Sequence, residues 1–400
     1  MRHQVLKWVL TSSMCAAATC ATAAGTDRHA WVDTWAATPD IAGPVLNAQT
    51  VRQIVRTSVA GSQVRIRLSN LFGNVPVTLG PVHVALSAEA ADTVPGSDHV
   101  LLFNGKPTVT IPKGESALSD PVKMDVKALQ QLAVSIYVPA DTQYHPATIH
   151  NAALATSYIT ESGDATADVH FPREEVSGNR FFLTDLEVTG PSAKHTLVTF
   201  GDSITDGVGS NENKNERWPD DLAARLQADA KLSSIGVANA GIGGNRILHD
   251  NFGPSALTRF DRDALDKPGV RWIILLEGIN DIGRGFYPPT EPVTAEALIA
   301  ADKQIIARAH AHGILVYGAT LTPYKGAHYF MPEGEQVREA VNQWIKTSGA
   351  FDGVVDFAPS VADKSDPTTF DTNYNLTDKL HPNDAGYQAM ANAIDLGLLK

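Results

Sequence analysis

The chain has 400 residues, of which 43% are hydrophobic and 19% charged, and its net charge is −12. This length supports two ordinary domains with sizeable cores, and the composition is neither that of a disordered chain nor that of a membrane protein. An acidic protein has no general attraction to phosphate backbones or anionic lipid surfaces, so a nucleic-acid partner is not expected; the composition gives no expectation of stable membrane insertion either.

The first residues read as an export signal. Arg2 and Lys7 give a positive start, Trp8-Val9-Leu10 open a modest apolar stretch, and Ala21-Thr22-Ala23 fits a small-x-small cleavage site. The expectation is a signal peptide over residues 1–23 and a secreted or periplasmic protein. The apolar part is too short and too weak to span a bilayer. Both cysteines, Cys15 and Cys20, lie inside it. A mature chain would therefore carry no disulfide, no thiolate chemistry and no cysteine metal ligand.

Residues 27–190 show short alternating runs separated by Gly, Pro, Asn and Asp. Val64-Arg65-Ile66-Arg67-Leu68 alternates strictly; 75–79, 82–86, 109–111, 133–138, 181–183 and 186–188 are further strand candidates. Many short strands at this spacing predict an all-β sandwich or jelly-roll domain. Trp31 and Trp35 either pack in its core or present a stacking surface.

Thr189-Gly190-Pro191-Ser192-Ala193 reads as a linker. From 195 to 400 the rhythm becomes strand, helix, strand, helix. Strands are predicted at 196–200, 237–239, 272–276, 314–318 and 353–357, with helices at 218–230, 295–312, 333–347 and 384–399. Continuous apolar strands alternating with helices predict an α/β domain, a five-stranded parallel sheet covered on both faces.

Such sheets bind ligands at the carboxyl ends of their strands. After the first strand stands Gly201-Asp202-Ser203, a serine at a strand-to-helix turn, either a nucleophile or an ordinary helix cap. Thr205 replaces the second glycine of a Gly-x-Ser-x-Gly elbow, against an α/β-hydrolase. After the second comes Gly241-Ile242-Gly243-Gly244, bare backbone for a ligand or a plain tight turn; Arg246 spoils a dinucleotide fingerprint. After the third comes Asn280-Asp281, a side-chain donor or an Asx turn. Before the last helix, Asp378 precedes His381 by three residues, so its carboxylate can orient the imidazole, although a structural or metal-binding pair is also open. No supporting ligand cluster is evident, and His310 and His312 face different sides of their helix. A nucleophile, an oriented base and extra donors at one sheet edge are what acyl transfer requires.

With these residues in view, the chain resembles the SGNH hydrolases, also called GDSL esterases and lipases. Gly201-Asp202-Ser203, Gly244, Gly278-Ile279-Asn280-Asp281 and Asp378-x-x-His381 look like that family's four blocks, in its order, over about residues 195–400. Ile279 stands where many members have a second glycine. The resemblance implies a flavodoxin-like sheet in strand order 2-1-3-4-5. It implies Ser203 as nucleophile, His381 as general base and acid, and Asp378 as its orienting partner. It implies an oxyanion hole from the Ser203 and Gly244 N–H groups and the Asn280 side chain. No cofactor or metal is expected, because such a triad accounts for the chemistry and no ligand cluster is evident. The front half, with Trp31-Val32-Asp33-Thr34-Trp35-Ala36, looks like the β-rich module of some secreted bacterial members.

The expected activity is carboxylic ester hydrolysis through an acyl-enzyme, on a small-molecule or carbohydrate ester. The alternatives are a polysaccharide acetylesterase using the same residues, and a non-catalytic carbohydrate-binding or adhesion protein. Trp218, Arg246, Phe286, Tyr287 and Tyr324 are candidates to shape the pocket.

Overall fold

The computed structural model describes residues 31–140, 145–286 and 291–400. The expected signal peptide lies outside these residues. Among the described residues no helix is long and apolar enough to cross a membrane.

Among the described residues two large hydrophobic cores form, beside a small cluster of Ala91, Tyr158, Ala165 and Phe171. The first is built by residues 32–188 from antiparallel strands. One sheet runs in the order Val32–Ala36, Leu183–Thr189, Gly61–Ser69, Val122–Val126, with Ser116–Leu118 also on Gly61–Ser69. A second contains Ser157–Ile159, Gln49–Arg56, Gln131–Val138 and Val82–Leu86 as its central strands. Val64, Ile66 and Leu68 from the first sheet meet Val51, Val55, Leu132, Val134 and Ile136 from the second. The period-two pattern thus does place one face of each sheet in a shared interior, which makes this half an all-β sandwich.

The other face of Gly61–Ser69 is only partly solvated. Arg65 pairs with Glu187 at 2.5 Å and its guanidinium lies 4.0 Å from the centre of the Trp31 ring. Trp31 is therefore a buried packing residue, and Trp35 has Arg180 5.5 Å from its ring. Lys267, from the second half, pairs with Asp185 and stands 3.7 Å from Asp33. Burial favours a neutral Asp185, but Lys267 and Arg67 outweigh it and hold its carboxyl down at about 2. A buried charge persists only with such partners.

The second core is built mainly by residues 197–399, with Ala36 of the β-rich half also buried in it. Its five parallel strands are β1 (His195–Gly201), β2 (Ile235–Gly241), β3 (Val270–Leu276), β4 (Leu315–Ala319) and β5 (Gly353–Val355), in the order β2-β1-β3-β4-β5. This is the expected order. Between β1 and the chain end lie α1 (Ser203–Asp206), α2 (Trp218–Ala228), α3 (Ile279–Phe286), α4 (Ala295–Ala311), α5 (Pro332–Thr347) and α6 (Asp384–Ala393). Helix α2 packs on α6, and α3 and α4 pack on α5. The final helix is shorter than its pattern suggested. It stops at Ala393, and a 3-10 turn at Leu396–Leu399 follows, begun by Asp395 accepting from Gly397 N at 2.8 Å.

Order 2-1-3-4 makes the connections that leave β1 and β3 run in opposite directions, from β1 toward β2 and from β3 toward β4. The crevice that opens at the carboxyl end of β1 is where such folds place ligands.

Candidate active site

Gly201 ends β1. A Cβ there would fall 2.2 Å from Leu276 O, so only glycine lets β1 and β3 approach this closely. Asp202 caps α1, its Oδ1 accepting from Ile204 N at 2.9 Å. The capping alternative thus belongs to Asp202, which leaves the Ser203 hydroxyl for another partner. That partner is His381, whose Nε2 lies 2.9 Å from Ser203 Oγ. Burial raises the Asp202 carboxyl to about 7. Ser203 is not held out in the open at this turn: only 5% of it is accessible.

His381 sits in a turn before α6. Its Nδ1 is 2.6 Å from Asp378 Oδ2, and Asp378 Oδ1 accepts from Leu380 N at 3.0 Å and His381 N at 3.1 Å. Lys379 takes a positive φ of 61° to close this turn. Burial would raise the Asp378 carboxyl, yet the hydrogen bonds from the His381 ring and the two backbone N–H groups hold it at about 2. With an acceptor-only carboxylate at Nδ1, that nitrogen carries the proton and Nε2 accepts from the Ser203 hydroxyl. Asn383 then caps α6 by accepting from Gly386 N at 3.0 Å.

The glycine-rich loop after β2 turns back on the site. Ile242 N donates to Gly201 O, and Asn245 N donates to Ile242 O, both at 3.1 Å, and neither bond uses the Gly244 N–H. Gly244 has φ 75°, and a Cβ there would meet Phe252 Cγ at 2.8 Å. Asn280, at the start of α3, donates from Nδ2 to Asn245 O at 3.1 Å and accepts at Oδ1 from Tyr329 Oη at 3.3 Å. These partners orient its carboxamide, and among the described residues none takes the second Nδ2 hydrogen. Tyr329 reaches it because Gly283, one turn along α3, has no side chain: a Cβ there would lie 2.3 Å from the Tyr329 ring.

Two supporting residues, Arg259 and Tyr329, were not found by sequence reasoning, and Asp281 has a role that its motif did not specify. Arg259 is buried and donates to Asn245 Oδ1 at 2.8 Å, Ala240 O at 2.8 Å and Gly201 O at 2.9 Å. One guanidinium thus ties together the ends of β1, β2 and the glycine loop. Asp281 accepts from Ile247 N at 2.7 Å and Leu248 N at 3.0 Å, so it holds the segment beyond that loop. Tyr329 and Arg259 are isolated in sequence, and no spacing signal marked either.

The candidate pocket residues divide. Trp218 and Tyr324 are fully buried core residues, Trp218 against Phe357 with ring centres 5.2 Å apart, and cannot line a pocket. Arg246 is buried and pairs with Glu291. The Phe286 side chain and Tyr287 lie outside the described residues. Among the described residues, no group of three or more His, Cys, Asp or Glu is placed to hold a metal ion.

Residues 199–389 match the model of the GDSL-like Lipase/Acylhydrolase family. An acetylxylan esterase from Geobacillus stearothermophilus is 21% identical, with 52% of this chain and 94% of that one covered and a TM-score of 0.40. A protein assigned to the G-D-S-L lipolytic family from Desulfitobacterium hafniense DCB-2 is 22% identical, covering 50% and 97%, with a TM-score of 0.39. No curated protein matches the chain.

Proposed function

We propose that the region matching the GDSL-like lipase/acylhydrolase family, residues 199–389, is a serine carboxylic ester hydrolase with Ser203, His381 and Asp378 as its triad. The observation that carries the reading is the continuous hydrogen-bond chain from Ser203 Oγ through both nitrogens of His381 to Asp378.

In the proposed reaction His381 Nε2 takes the Ser203 proton as Oγ attacks the ester carbonyl carbon. The carbonyl oxygen becomes an oxyanion, met by the Ser203 N–H, the Gly244 N–H and the free Nδ2 hydrogen of Asn280. The first N–H groups of a helix have no partner within it, which suits Ser203 as the first residue of α1. The imidazolium then protonates the leaving alkoxide, and an acyl-Ser203 remains. Water gives a proton to His381 and attacks the acyl carbon. Collapse of the second tetrahedral intermediate returns the proton to Ser203 and frees the acid.

Initial rates on a p-nitrophenyl ester series, set beside acetate release from acetylated xylan, test the substrate class. Turnover of the simple esters that Ser203→Ala abolishes is the expected result. Xylan deacetylation that far exceeds it would move the assignment to a polysaccharide acetylesterase. No turnover of either would leave a binding protein.

The boundary between a β-rich domain over 27–190 and a hydrolase domain over 195–400 is part of this proposal, supported by two distinct cores whose buried residues cross it only at Ala36. So is export. Intact mass of secreted protein should begin near Ala24, and retention of Met1 would refute cleavage.

A further inference from the structure

We propose that His150, from the β-rich half, is a positioning residue for the active site, acting through Asp206. This rests on the reading of Ser203 as nucleophile. It assigns the β-rich half a part in catalysis although it contributes no member of the triad.

His150 ends the strand Pro146–His150 and is buried. Its Nδ1 lies 2.8 Å from Thr38 O and its Nε2 lies 3.0 Å from Asp206 Oδ1. Asp206 is the last residue of α1, three positions after Ser203. A carbonyl oxygen and a carboxylate oxygen are both acceptors, so each ring nitrogen faces a group that needs a proton. The pair is satisfied when the ring is an imidazolium. Burial alone would drive that proton off, but the charge and hydrogen bond of Asp206, with Asp40 nearby, hold the His150 pKa above its ordinary value.

Asp206 touches both loops that the mechanism uses. A Cβ on Gly241 would fall 2.2 Å from Asp206 N, so the end of β2 rests directly on the end of the nucleophile turn. The second oxygen, Oδ2, is buried beside the glycine loop: a Cβ on Gly243 would stand 3.7 Å from it. His150 holds the first oxygen. One buried ion pair thus fixes the residue on which the serine turn and the Gly243-Gly244 loop are stacked.

The same stretch of the β-rich half grips the chain beyond α1. Arg217, whose side chain covers Gly207, donates to Ala153 O. Asn213 N donates to Leu154 O at 3.0 Å, and Thr156 N donates to Asn213 Oδ1 at 2.7 Å. Residues 150–156 therefore seat the segment 206–217, with the His150–Asp206 pair nearest the serine. Catalytic groups displaced by as little as an ångström lose much of their rate, so such a seat has kinetic value.

Two polar substitutions separate a local anchor from a positioning role. The amide of asparagine can replace Nδ1 and keep the bond to Thr38 O; the longer amide of glutamine can replace Nε2 and keep the bond to Asp206. In the full-length protein His150→Gln should keep kcat on p-nitrophenyl acetate within about threefold. His150→Asn should lower kcat by about tenfold or more, with KM little changed in both. Equal kcat values, or the reverse order, would overturn the proposal. The pair can be approached from the other side if neither variant folds. Asp206→Asn can still donate to Nε2 of a neutral His150 and should stay active, whereas Asp206→Ala should lose about tenfold; equal activities there would also overturn it. Activity surviving in Ser203→Ala would instead defeat the functional reading itself.

Discussion

Asn280→Ala isolates the donor proposed for the oxyanion. The substitution keeps nucleophile, base and orienting carboxylate and removes one N–H. Losing such a donor costs roughly 10²–10³ in turnover, about 2.7–4 kcal/mol of transition-state stabilisation. The loss should appear in kcat and in kcat/KM by the same factor, because the donor meets charge that exists only in the transition state. A second effect acts on the fold. Asn280 is buried, and its side chain satisfies Tyr329 Oη and Asn245 O. Leaving a buried polar group unpaired costs about 1–3 kcal/mol. At roughly 2–4 °C per kcal/mol for a domain of about 200 residues, Tm should fall by several degrees. Initial rates on p-nitrophenyl acetate should therefore be taken well below the variant's Tm. Asn280→Asp should be worse than alanine, since it turns a carboxylate toward the developing negative charge. A raised KM with unchanged kcat would make Asn280 a ground-state binding residue and refute the assignment.

Asp378→Asn should lower kcat by at least about a hundredfold, because the amide no longer holds the proton on Nδ1. The roughly 10⁴-fold loss of a buried triad Asp is not expected, since 43% of the Asp378 side chain is accessible; unchanged kcat would remove Asp378 from the triad. Tyr329→Phe should cost kcat roughly three- to tenfold, the worth of one neutral hydrogen bond, and should cost nothing further in an Asn280→Ala background; additive losses would show that Tyr329 acts elsewhere. Burial and the charge of Asp281 push the Asp302 carboxyl well above its usual 3.8. The folded state therefore binds a proton that the unfolded chain releases near 4, and stability falls as pH rises above that value. Asp302→Asn lacks this dependence, so its Tm should gain on the unmodified protein between pH 5 and pH 8; a constant difference would mean Asp302 is not held protonated.

The second half of the chain was largely legible because its parallel strands are buried on both faces. Runs such as Trp272-Ile273-Ile274-Leu275-Leu276 have one interpretation, and chemistry-bearing residues at their ends fall together in any doubly wound sheet. The first half was legible only in outline. No strand is predicted over Gln49–Arg56, where polar residues outnumber apolar ones, yet Arg52 is buried and donates to Ser135 Oγ at 2.7 Å and to Ala91 O at 2.9 Å. The Arg65 and Arg67 face of Gly61–Ser69 misleads in the same way. Its alternation suggests water on one side, but its partners Glu187, Asp185 and Lys267 are buried with it. A one-dimensional pattern reports the apolar face and is silent on whether the polar face meets solvent or another polar surface. His150 shows the same limit at the site, for 56 residues separate it from Asp206.

The account turns on Ser203 carrying the acyl group. The direct measurement is peptide mass spectrometry of enzyme quenched with acid during turnover of p-nitrophenyl acetate, under conditions where the acyl-enzyme accumulates. His381→Ala serves as a control in which acylation itself should fail. The account predicts the mass of one acetyl group on the peptide containing Ser203, placed on that serine by fragmentation and absent from His381→Ala and Ser203→Ala. Acetyl carried by another residue at a kinetically competent rate, or turnover in Ser203→Ala equal to that of the unmodified protein, would contradict it.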